Sequence, residues 1–159
     1  DIALLLFATI IGFFIFNYPP AKLYLGDSGS LFIGYCLGFL SIIFNWTPAN
    51  ETVYTSFLNP MLLFFTIPLL DFVIVISQRI KSGVSPTTGG TDHISHRFLA
   101  AGFSEKKVLT VFLLYTILLF TLILVSIISS KFIGYGVIII FLVLFVFTFL
   151  KISKMKTLE

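Results

Sequence analysis

Five apolar runs separated by short polar breaks leave this chain few folds to choose from. They cover residues 2–16, 30–46, 57–78, 107–129 and 132–150. A hydrocarbon core of about 30 Å needs roughly 20 helical residues rising about 1.5 Å each. The last four runs are long enough to span such a core, and the first is several residues short. Hydrophobic residues make up 58% of the chain and charged residues 11%, and the mean hydropathy is +1.09, beyond the range of soluble domains. The runs are continuous and do not alternate, which favours helices over barrel strands. The expected fold is therefore all-α: a polytopic transmembrane helical bundle of five membrane helices, with a short amphipathic helix in a cytoplasmic loop over 79–106. The whole chain, 1–159, reads as a single membrane domain. Because the short first run starts at the first residue, it is expected to be the remnant of a longer helix, and the chain the C-terminal part of a larger protein.

The basic residues set the orientation. With the break at 17–29 on the cytoplasmic side, Lys22, Arg79, Lys81, Arg97, Lys106, Lys107, Lys151, Lys154 and Lys156 all fall inside and only Lys131 falls outside. Lysine and arginine concentrate in cytoplasmic loops, so this parity is the expected one. The net charge of +3 supplies no basic face of the kind that nucleic acid requires, and no nucleic-acid partner is expected. The lone cysteine, Cys36, sits within an apolar run and has no partner for a disulfide or a thiolate metal site.

Residues 17–30, NYPPAKLYLGDSGS, form a polar, glycine-rich break. Pro19 and Pro20 end the first helix, since proline lacks a backbone donor and disfavours helix in the residue before it. Gly26 and Gly29 let the backbone approach a ligand closely. Asp27, Ser28 or Ser30 can cap the helix running on through Leu31. A helix N-terminus attracts anions and an aspartate attracts a divalent cation, so the two together suit a metal-bridged phosphate. The plainer alternative is that Asp27 is a cap and nothing more.

Two further features carry chemistry. Pro68 should kink the third helix, and Asp71 follows within one turn. An ionisable group at that depth needs a wet cavity or a partner, so Asp71 is either functional or paired with a lysine, an arginine or a backbone donor. In the loop, SGVSPTTGGTDH is rich in turn residues. Thr91 or Asp92 can then cap a short helix, HISHRFLAA, stopped at Gly102. Placed on that helix, His93, His96 and Arg97 share a polar side, opposite Ile94, Phe98 and Leu99. Two imidazoles beside a guanidinium fit a diphosphate better than a zinc ion. The alternative is an interfacial helix whose arginine meets lipid headgroups.

Taken together, FNYPPAKLYLGDSGSLFIG, IPLLDFVIVISQRIKSGVSP and TDHISHRFLAAGFS resemble the polyprenyl-phosphate N-acetylhexosamine-1-phosphate transferases, the superfamily that includes the phospho-N-acetylmuramoyl-pentapeptide transferases. The resemblance spans Phe16 to Ser104. It implies a Mg²⁺-dependent transfer of a sugar 1-phosphate from a UDP-N-acetylhexosamine to a polyprenyl phosphate such as undecaprenyl phosphate, with release of UMP, at the start of a lipid-linked envelope glycan. By the same resemblance Asp27 is the catalytic carboxylate and metal ligand, and Asn17 and Tyr24 line the uridine pocket; Lys22, which marks the aqueous side, is grouped here with substrate binding. His93, His96 and Arg97 belong to the diphosphate site, and Asp71 matches a family aspartate grouped here with substrate binding. The resemblance places the protein in the bacterial inner membrane with its active face cytoplasmic, and leaves a homodimer open.

Phosphoryl transfer needs negative charge neutralised by a metal and cationic donors. One substrate is soluble and the other is a lipid, so the expected site lies where an aqueous loop meets a helix mouth, and Asp27 is expected to converge there with His93 and Arg97. The family's paired aspartates have no counterpart in residues 1–17, so the 159 residues alone are expected to turn over no substrate. The competing class is a small membrane transporter or channel subunit with Asp71 as its intramembrane ion site. It would need polar residues continuing to the outer face, where residues 47–56 hold Glu51 as their one charged residue.

Overall fold

The computed structural model describes residues 2–43, 65–87, 89–128 and 131–157. The chain divides into two compact units, Asp1–Glu51 and Thr52–Glu159, and each stands on its own below. Among the described residues there are six helices and no strand, in keeping with the all-α expectation.

The first unit holds α1, Ile2–Asn17, and α2, Gly26–Ile43, which pack against each other. α1 has no ionisable residue, and apolar side chains such as Leu4, Phe7, Ile11 and Phe16 stand exposed around it. A helix that is apolar all round belongs in a membrane or inside a larger assembly. It ends just before the Pro19–Pro20 pair, and the Lys22 N–H donates to the Phe16 carbonyl at 3.1 Å, satisfying one of the carbonyls that the last helical turn leaves open. α2 begins at Gly26, whose φ of 68° is accessible to glycine without the penalty a Cβ would bring. The expected start at residue 30 is thus corrected: GDSGS is the first turn of the helix. There the Ser30 hydroxyl donates back to the Asp27 carbonyl at 3.0 Å.

The second unit holds α3, Thr66–Lys81, α4, Ile94–Ala100, α5, Glu105–Ile128, and α6, Lys131–Ser153. α6 packs on both α5 and α3, and α4 packs on α5. Leu70 and Ile74 of α3, Ile94 of α4 and Ile152 of α6 form the buried centre, and Phe98, Phe112, Tyr115, Phe145, Phe149 and Met155 close around it. Pro68 lies in the first turn of α3, where its missing N–H would have had no helical partner, so it does not interrupt the helix described. The expected earlier part of that run, 57–64, lies outside the described residues, as do the end of the second run at 44–46 and the loop 47–56.

Two glycines terminate helices through the same device. Gly83 and Gly102 have φ of 70° and 86°. After α3, Val84 N–H reaches the Arg79 carbonyl at 2.9 Å and Gly83 N–H that of Ile80 at 3.2 Å. After α4, Phe103 N–H reaches the Phe98 carbonyl at 3.0 Å and Gly102 N–H that of Leu99 at 2.9 Å. This paired closure is the Schellman arrangement, with the left-handed residue supplied by glycine. The hydrophobic contact that accompanies it is the edge-on packing of Phe98 and Phe103, ring centres 5.3 Å apart. The expected stop at Gly102 is therefore met.

Among the described helices, α5 and α6 are the two long and apolar enough to cross a membrane, and α1 is a shorter apolar helix. Many of the large side chains of α5 and α6 are exposed, including Leu113, Leu114, Ile117, Ile139, Val143 and Phe147. Lys106 and Lys107 stand at the start of α5, and Lys151, Lys154 and Lys156 at the end of α6.

Candidate active site

In the first unit, Asp27 stands in the exposed first turn of α2, where the helix dipole favours a negative charge. Its side chain has no ion-pair partner among the described residues. Tyr24 is 91% exposed and Lys22 is exposed as well. Asn17 closes α1, and its Oδ1 is buried with no hydrogen-bond partner among the described residues.

In the second unit, a polar cluster ties the loop between α3 and α4 to both helices. Asp71 is its pivot. One carboxylate oxygen lies 2.7 Å from His93 Nδ1 and the other accepts the Ile94 N–H at 2.6 Å. His93 itself is the N-cap residue of α4, with an extended backbone and no side-chain capping bond. The carboxylate of α3 thus caps α4, in place of the expected Thr91 or Asp92. Of the two readings open for Asp71, the paired one is what the geometry displays.

Arg79 and Asp92 form the second tie. Arg79 Nε donates to Asp92 Oδ2 at 2.7 Å, Nη2 to Oδ1 at 2.5 Å, and Nη1 to the Pro86 carbonyl at 3.0 Å. The guanidinium holds the Asp92 carboxyl below the usual carboxylate range. Gly90 lies against this pair, and a Cβ there would come within 2.8 Å of both Arg79 Nη2 and Asp92 Oδ1.

Arg97 departs from expectation. It is 2% exposed and does not share an outward polar side with His93 and His96. Its Nε donates to the Asp92 carbonyl at 2.8 Å and its Nη1 to the Met155 carbonyl at 3.0 Å. Burial away from water pulls its pKa down. The reason for the inward turn lies just beyond α6, where the Met155 carbonyl of the tail offers an acceptor to the guanidinium. Gln78 Nε2 makes a parallel bond to the Ser153 carbonyl at 2.9 Å. His93, 48% exposed by side chain, and His96, with ring centres 6.5 Å apart, remain the imidazoles of the loop.

Two cavities adjoin this cluster. One of about 390 Å³ is walled by Pro68, Phe72, Val75 and Ile76 of α3 and has Asp71, His93 and Arg79 at its polar side. The other, of about 840 Å³, opens between Arg79, Gly90, Asp92, Arg97 and Lys156.

Residues 1–45 match the family model described as Glycosyl transferase family 4. The chain is 30% identical over 115 residues to a probable undecaprenyl-phosphate N-acetylglucosaminyl 1-phosphate transferase of Bacillus subtilis, covering 72% of this chain and 31% of that protein. The chain belongs to glycosyl transferase family 4. A second relative in this family is a decaprenyl-phosphate N-acetylglucosaminephosphotransferase of Mycolicibacterium smegmatis, 33% identical over 128 residues, covering 75% of this chain and 31% of the relative. A third is a phospho-N-acetylmuramoyl-pentapeptide-transferase of Thermotoga petrophila, 32% identical over 126 residues, covering 74% and 36%. This family 4 chain thus spans about a third of the length of the curated relatives it matches. No solved structure matches it.

Among the described residues of this family 4 chain, no three histidine, cysteine or acidic side chains gather into a metal site. In the second unit Asp71 and Asp92 are engaged by His93 and Arg79; in the first unit Asp27 has no ion-pair partner among the described residues. Magnesium is commonly held by one or two carboxylates together with waters and substrate phosphates, and Asp27 fits as one such ligand. Arg79, Gln78 and Asp92 escaped the sequence reading as parts of the site's framework. The signals available were Arg79 as a basic residue at the end of an apolar run, which reads equally as an interfacial anchor, and Asp92, which reads as a helix cap.

Proposed function

We propose that the protein transfers an N-acetylhexosamine 1-phosphate from a UDP-sugar to a polyprenyl phosphate in the membrane, releasing UMP. The observation that carries this reading is the match to relatives over about three quarters of the chain, two of them named for moving N-acetylglucosamine phosphate onto a polyprenyl phosphate. Polytopic insertion with the polar loop on the cytoplasmic side of the bacterial inner membrane belongs to the same proposal, supported by the distribution of basic residues.

In this reading Asp27 holds a Mg²⁺ ion, which when bound neutralises phosphate charge and polarises the bond to the leaving group. Asn17 and Tyr24 line the uridine pocket, and the exposed ring of Tyr24 stacks on uracil. Lys22 adds a positive charge toward the nucleotide phosphates. His93 and His96 serve the diphosphate, and Arg97 acts by anchoring the loop that carries them. Holding reactants in line and in place accounts for much of the rate in phosphoryl transfer, which is what such anchoring would supply.

The test is a membrane assay on the full reading frame. UDP-N-acetylglucosamine labelled in the sugar is supplied with undecaprenyl phosphate and Mg²⁺, and label is followed into the lipid fraction alongside UMP. Incorporation that needs both substrates, that labelled UMP reverses by exchange, and that Asp27→Asn abolishes is the expected result. Absence of lipid-linked label with every UDP-N-acetylhexosamine tried would overturn the reading.

A further inference from the structure

We propose that Asp71 is a positioning residue that fixes the tautomer of His93, so that His93 Nε2 is a proton acceptor toward a phosphate group. The inference rests on the transferase reading for its chemistry and on the geometry of α3 and α4 for its substance.

Both partners of the Asp71 carboxylate constrain it. Oδ1 takes the backbone N–H of Ile94 at 2.6 Å, a donor that cannot change its role. Oδ2 meets His93 Nδ1 at 2.7 Å. A carboxylate only accepts, so Nδ1 carries the hydrogen, and in the neutral ring Nε2 is left with its lone pair. Because each oxygen is committed, the carboxylate cannot rotate away, and the bond to Ile94 fixes it relative to the backbone of His93. The ring is half-exposed and lines the cavity of about 390 Å³ whose remaining wall is largely apolar.

The other charged groups nearby do not take over the role of Asp71. Arg79 lines the same cavity and is bonded to Asp92. Arg97 is bonded to the carbonyls of Asp92 and Met155. His96 lies one ring contact away and, among the described residues, has no carboxylate bond of this kind.

In the reaction, a protonated acceptor phosphate gives its proton to Nε2 while Nδ1–H stays on Asp71. The freed oxygen forms a bond to the sugar-bearing phosphorus. The bond from that phosphorus to the bridging oxygen breaks, and its electron pair leaves with UMP. The proton then passes from Nε2 to solvent. An imidazolium formed beside Asp71 is stabilised by the carboxylate, as in other carboxylate–histidine pairs.

Asp71→Asn gives a specific signature. Asparagine has one acceptor and one donor head, and both native partners are donors. If its oxygen keeps Ile94, its NH₂ faces Nδ1 and drives the hydrogen to Nε2, which inverts the tautomer. The experiment is ¹⁵N–¹H correlation of the histidine rings in the full-length protein in nanodiscs, with His93→Gln assigning the signals, alongside steady-state kinetics. The expected result is an Nδ1–H ring in the wild type, an Nε2–H ring in Asp71→Asn, and a fall in kcat of roughly 100-fold or more with little change in KM for the UDP-sugar. An Nε2–H ring in the wild type overturns the proposal, as does Asp71→Asn with native tautomer and native kcat. Should Asp71→Asn fail to fold, the wild-type spectrum alone decides. An Nδ1–H ring in a protein that moves no sugar phosphate would overturn the transferase reading and leave the role of Asp71 in setting the tautomer intact.

Discussion

Arg97 Nη1 donates to the main-chain carbonyl of Met155 at 3.0 Å, so a side chain on the short helix α4 holds the tail that follows α6. The same guanidinium bonds the Asp92 carbonyl, joining loop, helix and tail at one buried point. Arg97→Met keeps much of the apolar stem and removes both bonds. Hydrogen bonds to charged groups contribute about 1.5–3 kcal/mol each, and the tail carbonyl is left open. The expected outcome is a loss of at least roughly 2 kcal/mol, read as a lower melting temperature in detergent together with faster proteolysis around residues 154–157. Arg97→Lys should recover only part of this, since one ammonium cannot reproduce the two-pronged grip. An unchanged melting temperature in both variants would contradict the assignment.

Gly90 and Gly89 are neighbours with opposite expectations. A methyl group at Gly90 collides with Arg79 Nη2 and Asp92 Oδ1, whereas at Gly89 nothing among the described residues lies within 4 Å. Gly90→Ala should cost about 1–3 kcal/mol, the range for overfilled sites, and Gly89→Ala close to nothing. Thermal melting of the two variants side by side checks this, and equal losses would contradict it.

The Arg79–Asp92 pair gives stability a defined acid limb. Asp92 has its pKa lowered in the folded protein, chiefly by the hydrogen bond from Arg79. A depressed carboxyl binds fewer protons folded than unfolded, so stability rises with pH through this window. The contribution is complete above the ordinary carboxylate value near pH 4 and is lost as pH falls through the lower folded value. Melting temperatures measured from neutrality into acid should fall more steeply for the wild type than for Asp92→Asn, which starts lower and has no such proton to take up. Parallel curves would show that the pair does not couple to folding.

At Gly102 the backbone decides. With φ at 86° a Cβ is disfavoured by about 1–2 kcal/mol, and the Phe98–Phe103 contact depends on the turn that this angle makes. Gly102→Ala should lower the melting temperature, and Gly102→Asn should lower it less, because asparagine tolerates the left-handed region better. Equal behaviour of the two would argue that the closure after α4 is not under backbone control.

Much of this architecture was legible because its causes are local. The runs that became α1, α5 and α6 are continuous apolar stretches, Asn17 ends α1 where Pro19 and Pro20 follow, and Gly102 stops α4 through a conformation that glycine alone adopts cheaply. What escaped the sequence was tertiary. His93 reads as the first residue of a helix, yet it stands outside α4 as the N-cap because a carboxylate 22 residues earlier supplies the capping bond. Arg97 reads as part of an outward polar side, yet it turns inward to a carbonyl 58 residues away, and main-chain carbonyls leave no trace in a sequence. The start of α2 at Gly26 was read four residues late, since serines and an aspartate look like caps even when they lie inside the first turn.

The last residue of α6 and the tail beyond it are gripped through peptide oxygens: Gln78 holds that of Ser153 and Arg97 that of Met155. Every amino acid supplies that oxygen, so substitutions at 153 and 155 should leave the grip untouched. A deletion or insertion between them should not, because it moves each oxygen out of reach. Among homologous proteins, drift in residue type at these two positions together with a strict spacing between them would be the evolutionary trace of such a hold.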